Sequence, residues 1–305
     1  MRYRRLGSSD LELSEISLGS WLTYGGGVGR EQAEACVAKA FEVGINFIDT
    51  ANVYSRGAAE SLLGEILVGR PRDSYVLGTK LYFPMNGDRG LSREQVLKQL
   101  DLSLMRLRTD HVDLYQYHTP DHGTPFEETF GALDELVREG KVRYVGHSNL
   151  EAAQVEEIDA LAREHGWARP VSAQNQYSLL RREAEEELLP VCEGLGLGVL
   201  PFFPLASGLL TGKYRRGQPP PEGTRLAGRN DVFTEEKFDR IEALEELARE
   251  RGLSLLQVAI SGLAAQPAVA SVIAGATKPE QVRANAAAGD WEPTPDDLAA
   301  LNEIR

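Results

Sequence analysis

The stretch from Glu31 to Tyr54, EQAEACVAKAFEVGINFIDTANVY, decides the fold class. Its first twelve residues repeat apolar positions at helical spacing, and Gly44 follows where a helix would close. Ile45-Asn-Phe-Ile48 then reads as a buried strand, and Asp49-Thr-Ala-Asn-Val-Tyr54 turns polar where that strand ends. The same unit recurs along the chain. Strand-like runs stand at Ile16–Gly19, Ile45–Ile48, Tyr75–Gly78, Val112–Tyr115, Val142–Val145, Val171–Gln174, Gly198–Pro201 and Val269–Ile273. Helical periodicity fills the gaps, for example at Glu31–Glu42, Arg93–Leu107, Phe126–Glu139, Glu151–His165 and Arg182–Glu193. Ser92 and Thr124-Pro125 supply helix starts, and Gly140, Gly166 and Gly196 supply stops.

Eight strands separated by helical crossovers predict an α/β fold with a closed parallel (β/α)8 TIM barrel, occupying residues 1–305 as one domain. An open doubly wound sheet is the alternative. It would want a phosphate-binding fingerprint after the first strand, and Gly25-Gly-Gly-Val-Gly29 matches G-x-G-x-x-G poorly. Two additions are expected: an N-terminal β-hairpin over Arg4–Ser14 plugging the barrel bottom, and extra helices and long loops at the C-terminal face. The Gly- and Pro-rich loop Pro204–Asp231 is longer than a connecting loop requires, which marks it as functional or disordered.

Composition narrows the partners. A net charge of −13 over 305 residues repels nucleic acid and anionic membrane. Two cysteines, Cys36 and Cys192, make neither a disulfide framework nor a zinc site, and no metal is expected. Met1–Asp10 has no apolar run behind its basic residues, and prolines and glycines interrupt the least polar stretch. The expectation is a cytoplasmic protein without membrane insertion, with homo-oligomer formation left open.

In such barrels the chemistry lies at the C-terminal strand ends. Those ends read Asp49…Tyr54, Thr79-Lys80, Tyr117-His118, Gly146-His-Ser-Asn149, Gln174-Asn-Gln-Tyr177, Phe202-Phe203 and Gly275-Ala-Thr-Lys278. Singly, an aspartate, a tyrosine or a lysine is an ordinary structural residue. Together they suit one task. Lys80 would lower the pKa of the Tyr54 phenol, Asp49 would hold Lys80 charged, and His118 would polarise the oxygen that Tyr54 protonates. None of these groups can supply a hydride, so a reduction needs a cofactor. A Schiff-base role for Lys80 is the weaker reading, because Asp49 favours the protonated amine.

These stretches resemble the aldo-keto reductase family across essentially the whole chain. The likeness is carried by Gly44–Tyr54, Gly78-Thr-Lys80, Val112–His118, Gly146-His-Ser-Asn149 and Pro204–Tyr214. Within the family, Leu18–Gly26 and Ser207–Tyr214 look most like the branch of voltage-gated potassium channel β-subunits and their bacterial relatives. The resemblance implies a catalytic Asp49, Tyr54, Lys80 and His118, and NADPH lying across the barrel mouth, with NADH the lesser alternative. Gly19, Ser20 and Trp21 would lie under the nicotinamide, which Ser148, Asn149 and Gln174 would grip and Phe202 would stack on, beside Asp49. Pro204, Leu205, Ser207, Gly208 and Leu209 would line the pyrophosphate, with Lys213 and Arg225 along a clamp loop. Gly275, Thr277, Gln281 and Asn285 would meet the adenosine end. The substrate pocket would take Trp21, Tyr24, Tyr54, Phe83, Met85 and His118 as walls. The implied activity is reversible reduction of aldehydes and ketones to alcohols. The alternative is an NADPH-sensing subunit of a membrane channel with little turnover. Gly275, Gln281 and Ala284 depart from charged residues found in parts of the family, leaving phosphate recognition to Lys213, Arg225 and Lys278.

Overall fold

Helix and strand alternate in the computed structural model, which describes residues 1–304. A hairpin of β1 (Tyr3–Arg5) and β2 (Glu12–Ser14) comes first, antiparallel with Tyr3 opposite Ser14. Then follow β3 (Ile16–Gly19), α1 (Arg30–Glu42), β4 (Phe47–Asp49), α2 (Ala58–Leu67), β5 (Val76–Leu81), α3 (Arg93–Leu107), β6 (Val112–Tyr117) and α4 (Phe126–Arg138). The second half contains β7 (Val142–Ser148), α5 (Ala152–His165), β8 (Ser172–Gln174), α6 (Leu188–Leu195), β9 (Gly198–Val199), α7 (Glu235–Glu250), α8 (Leu255–Ala264), β10 (Val272–Gly275), α9 (Pro279–Ala288) and α10 (Pro295–Glu303).

Strands β3 to β10 form one parallel eight-stranded sheet, with β10 beside β3. The remaining seam is closed by backbone bonds. Val199 N–H donates to Ala268 O (2.7 Å), Ala270 N–H to Val199 O (2.9 Å) and Ile273 N–H to Pro201 O (3.0 Å). The sheet is therefore a (β/α)8 barrel, as its sequence pattern predicts. Inside its lower end Phe47, Val76, Leu114, Val171, Leu200 and Ile273 pack against Leu6, Leu11 and Leu13 of the hairpin segment. The hairpin plugs the bottom because those three leucines have no other apolar surface to cover.

Local signals set most element ends. Ser92 caps α3 by accepting from Gln95 N–H, and Gly140, Gly166 and Gly196 adopt left-handed φ of 75°, 65° and 74° after their helices. The sequence expectation fails over Arg182–Glu193. Only Leu188–Leu195 is α-helical there, preceded by a single 3-10 turn at Glu183–Glu185. Arg182 accounts for the late start. Its guanidinium is tied to Glu185, to the Leu301 carbonyl and to Asn302, which pins the segment before the helix can begin. Cys36 and Cys192 are buried and unpaired. Among the described residues no helix is long and apolar enough to cross a membrane.

Candidate active site

The backbone ladder continues past the strands and positions the loops at the C-terminal mouth. Ser20 N–H donates to Asp49 O, Thr50 N–H to Gly78 O, Asn52 N–H to Lys80 O, His118 N–H to Leu81 O and Asn149 N–H to Gln174 O. Residues that end separate strands are thus held in one frame. Non-glycine residues with left-handed φ cluster in the same loops: Leu22, Ser55, Arg56, Asn86, Asn149, Phe203, Ala206 and Ser207. Such conformations persist where the surroundings over-determine them, and they gather at functional sites.

Lys80 lies at the centre of the mouth with no exposed surface. Its ammonium donates to both carboxylate oxygens of Asp49 (2.7 and 2.8 Å) and to the Thr50 carbonyl (2.8 Å). Gln174 Nε2 donates to the same carboxylate at 3.0 Å. Burial pushes the Lys80 amine down from its ordinary value, and Asp49 holds it back. Above this pair the Tyr54 ring lies with its centroid 5.3 Å from Lys80 Nζ, and His118 meets it edge-on at 5.6 Å. The quartet expected from the sequence is brought together.

One expectation about it is corrected. Tyr54 is not more acidic than an ordinary phenol; its pKa is raised, first by burial and then by the Asp49 charge. All three Lys80 protons are spent on Asp49 and Thr50, so none is left for the phenol and desolvation wins. His118 is pushed down to about 3, by burial and then by Lys80, and is therefore a neutral imidazole at pH 7. Its Nδ1 is buried without a partner. Tyr54 and His118 together present a protonated phenol and a neutral ring to whatever enters.

The residues assigned to a dinucleotide lie at the strand ends, in the loops and at the helix start around this mouth, several of them buried. Ser148 Oγ donates to Gln174 O (2.7 Å), and Asn149 Nδ2 bonds His118 O (2.8 Å) and Ser148 Oγ (3.0 Å). Gly19 packs so closely that a Cβ would stand 2.8 Å from Ile273 Cγ2, and the Ser20 hydroxyl is buried without a partner. Pro204 and Leu209 are buried, Leu205 is half-buried, and Ser207 and Gly208 form a left-handed turn (φ 60° and 100°) beside Lys213. Lys213 and Arg225 are exposed and have no ion pair among the described residues, in a chain of net charge −13. Arg225 instead stands 5.0 Å over the Trp21 ring and 4.9 Å over Phe203. Two unpaired cations, a glycine-containing turn and a helix N-terminus make a donor set suited to phosphate groups. At that helix, Gln281 Oε1 accepts from both Thr277 N–H (2.8 Å) and Thr277 Oγ1 (3.0 Å), and Asn285 Nδ2 reaches the Gly275 carbonyl at 3.5 Å.

The rim is aromatic. Trp21 (40% exposed) packs on Phe203 (4.9 Å between centroids) and faces Tyr54 at 6.5 Å, while Phe83 (38% exposed) meets His118 at 4.9 Å. Phe202 packs behind Phe203 at 5.3 Å. Tyr24 does not line this rim. It has no exposed surface, because the turn in which Thr23 and Tyr24 N–H donate to Ser20 O folds its ring inward against Cys36. Met85 is 5% exposed and contributes little wall. His147, within the strand end Gly146–Asn149, is fully buried with neither ring nitrogen partnered, and burial pushes it down to about 3. Among the described residues no three His, Cys, Asp or Glu side chains are arranged to hold a metal.

Four residues around the site were missed in the sequence: Asn52, Glu60, Gln99 and Arg106. Asn52 and Glu60 are 1% and 0% exposed, and Gln99 Oε1 accepts from Asn52 Nδ2 at 3.1 Å. The available cue was Glu60, a carboxylate among the buried positions Ala59, Leu63 and Leu67 of α2.

Comparison with known proteins shows the family. The family model described as "Aldo/keto reductase family" matches residues 15–305. A "Probable voltage-gated potassium channel subunit beta" of Oryza sativa subsp. japonica is 37% identical over 318 positions, spanning 100% of this chain and 96% of the relative. A "Putative voltage-gated potassium channel subunit beta" of Schizosaccharomyces pombe is 36% identical, spanning 99% of this chain and 92% of the relative. A further relative with the first of those names, from Arabidopsis thaliana, is 35% identical, spanning 100% and 96%.

Proposed function

The chain belongs to the aldo/keto reductase family, and on that premise we propose that this oxidoreductase uses NADPH to reduce aldehydes and ketones to alcohols, reversibly, with Tyr54 as the proton donor. The observation that supports it most is the buried Lys80–Asp49 pair beneath Tyr54, with neutral His118 at the edge of that ring. When bound, the nicotinamide supplies the hydride that becomes the new C–H bond. The chain supplies the rest. Trp21, Phe83 and Phe203 exclude water from an apolar mouth and hold the organic part of the substrate. Tyr54 O–H and the His118 ring bond the carbonyl oxygen, and Tyr54 gives up its proton as negative charge develops there. A raised Tyr54 pKa keeps that proton in place at neutral pH until it is needed. Lys80 and Asp49, paired beneath the ring, form the buried floor on which Tyr54 is set.

Ser148, Asn149 and Gln174 suit the donor and acceptor of a carboxamide, and Lys213 and Arg225 suit the phosphates, including the one that distinguishes NADPH from NADH. Tyr54→Phe tests the reading. It should lower kcat for a small aromatic aldehyde by roughly 10²–10⁴-fold while NADPH still quenches protein fluorescence with unchanged affinity. Near-normal turnover removes Tyr54 as the acid. The relatives named as potassium channel subunits support a second reading, in which the same site reports cofactor state to a membrane channel with little turnover. Stable capture of a channel together with negligible carbonyl reduction would favour it.

A further inference from the structure

Behind the mouth, α3 presents a polar stripe that takes no part in the chemistry above. Gln95, Gln99, Ser103 and Arg106 follow at intervals of four, four and three residues and so share one face of the helix. Gln99 and Ser103 are 4% and 0% exposed. Gln99 Oε1 accepts from Asn52 Nδ2 (3.1 Å), and its Nε2 donates to Gln95 Oε1 (3.4 Å). Gln95 in turn donates to Asp88 (3.1 Å), in the loop that carries Phe83. Two turns further along, Arg106 Nε donates to Glu60 Oε2 (2.7 Å) and Nη2 to Ser103 Oγ (3.2 Å). The other oxygen of Glu60 accepts from Thr79 Oγ1 at 2.6 Å, one residue before Lys80. Arg106 also lies against Gly57, where a Cβ would stand 2.9 Å from Arg106 Cδ.

What the stripe clasps is the segment 52–57, which carries Tyr54. Three successive residues in it, Ser55, Arg56 and Gly57, are left-handed (φ 48°, 54° and 87°). Side chains disfavour that conformation, so the turn depends on external contacts. A buried ion pair is a weak stabiliser compared with apolar side chains of the same volume, and what it can add is one defined arrangement.

We infer that Gln99 and the Arg106–Glu60 pair are positioning residues: two clasps from α3 that hold the turn 52–57 so that the Tyr54 hydroxyl meets the carbonyl oxygen at a fixed distance and angle. The inference rests on the proposed role of Tyr54. Because Glu60 also holds Thr79, the proton donor and its lysine are referenced to the same frame.

Gln99→Leu and Glu60→Gln in the full chain test it. Each should lower kcat for an aromatic aldehyde roughly ten- to hundredfold, as expected for a reacting group displaced by about 1 Å, and leave the NADPH Kd and the aldehyde KM within about twofold. Arg106→Lys, which keeps a charge beside Glu60, should lose less than Arg106→Met. Both clasp variants should also be cut faster by trypsin at the Arg56–Gly57 bond, mapped by mass spectrometry, because Arg56 is exposed and Gly57 is buried against Arg106 until the turn opens. Values of kcat within about twofold of wild type, with unchanged cleavage, overturn the inference. So does a parallel loss of kcat and NADPH affinity, the mark of general loosening. If wild type binds NADPH and reduces no carbonyl, the Tyr54 reading fails, and trypsin alone decides the clasp: faster cleavage supports it and an unchanged rate overturns it. If Glu60→Gln does not fold, Gln99→Leu carries the test by itself.

Discussion

Asp49→Asn should destabilise the protein severely, and in a way that depends on pH. Asp49 accepts two bonds from Lys80 and one from Gln174. The amide keeps one oxygen for them but turns an N–H₂ toward an ammonium with no exposed surface. Leaving a buried charge unpaired costs about 3–5 kcal/mol. Lys80 can escape by losing its proton, but discharging an amine at pH 7 from its ordinary 10.5 costs about 4.8 kcal/mol at ~1.36 per pH unit. Both routes give a loss of roughly 3–5 kcal/mol, a large part of a typical total stability. The pH dependence follows from the second route. If folded Lys80 is neutral while the unfolded chain stays protonated, the unfolded state binds more protons, so stability rises with pH until about 10.5. Between pH 7 and 9 the variant should regain about 2.7 kcal/mol relative to wild type. Lys80→Met added to Asp49→Asn removes the stranded amine and should restore most of the loss. Urea unfolding followed by tryptophan fluorescence at pH 7 and 9 measures all four members of the cycle. A loss below about 1 kcal/mol, or a double variant no more stable than Asp49→Asn alone, would falsify the idea that Lys80 and Asp49 hold opposite charges in the barrel.

Other outcomes follow from the same geometry. His147 is neutral when folded, with its pKa depressed from 6.5 to about 3, so the stability it supports is present above pH 6.5 and drains away as pH falls toward 3. His147→Leu removes two unpartnered nitrogens, and between pH 6 and 4 its stability should fall about 1.4 kcal/mol per pH unit less steeply than that of wild type; parallel slopes in urea midpoints would contradict this. Lys213→Ala and Arg225→Ala break no ion pair, so melting temperature should hold while the NADPH Kd rises roughly tenfold or more, in line with about 1.5–3 kcal/mol for a charged hydrogen bond. An unchanged Kd in fluorescence titration would remove both from the phosphate site. Gly57→Ala places a methyl group against Arg106 at a φ of 87°, and should cost both stability and kcat, whereas Gly69→Ala, at the same φ with open space around it, should leave kcat unchanged.

The barrel was legible because its signal is repeated. Eight apolar runs, most of them followed by a polar strand end, outweigh the misreading of any one boundary, such as the helix that Arg182 delays to Leu188. Asp49, Lys80 and Gln174 could be placed for the same reason: a residue at a strand end has its position dictated by the ladder. Tyr24 could not. Three positions from Trp21 it reads as rim, and only the turn on Ser20 sends its ring to Cys36. The acidity of Tyr54 had the wrong sign because it depends on how many protons Lys80 has left, and the acceptor that takes the last one is a backbone carbonyl, Thr50 O. Gln99 and Arg106 were invisible among the many polar residues of helices, since a helix's sequence does not say which polar face turns inward. Glu60 alone carried a cue, by lying in the apolar stripe of α2.

The reductase and the channel-reporting readings share every step up to cofactor binding, so what separates them is whether the site is built to move a proton. Binding a dinucleotide requires cations and amides at the rim, which Lys213, Arg225, Ser148 and Asn149 suit without help from the barrel interior. It does not require an ammonium and a carboxylate buried beneath a phenol. Apolar side chains of similar volume in place of such a pair are often neutral or stabilising by about 1–4 kcal/mol, so a chain that only bound cofactor would gain by losing Lys80 and Asp49. The aromatic mouth argues the same way. Phe83 remains substantially exposed beside His118, apolar surface that a carbonyl compound would cover. The interior pair and the uncovered entrance to it are the two features that favour the turnover reading.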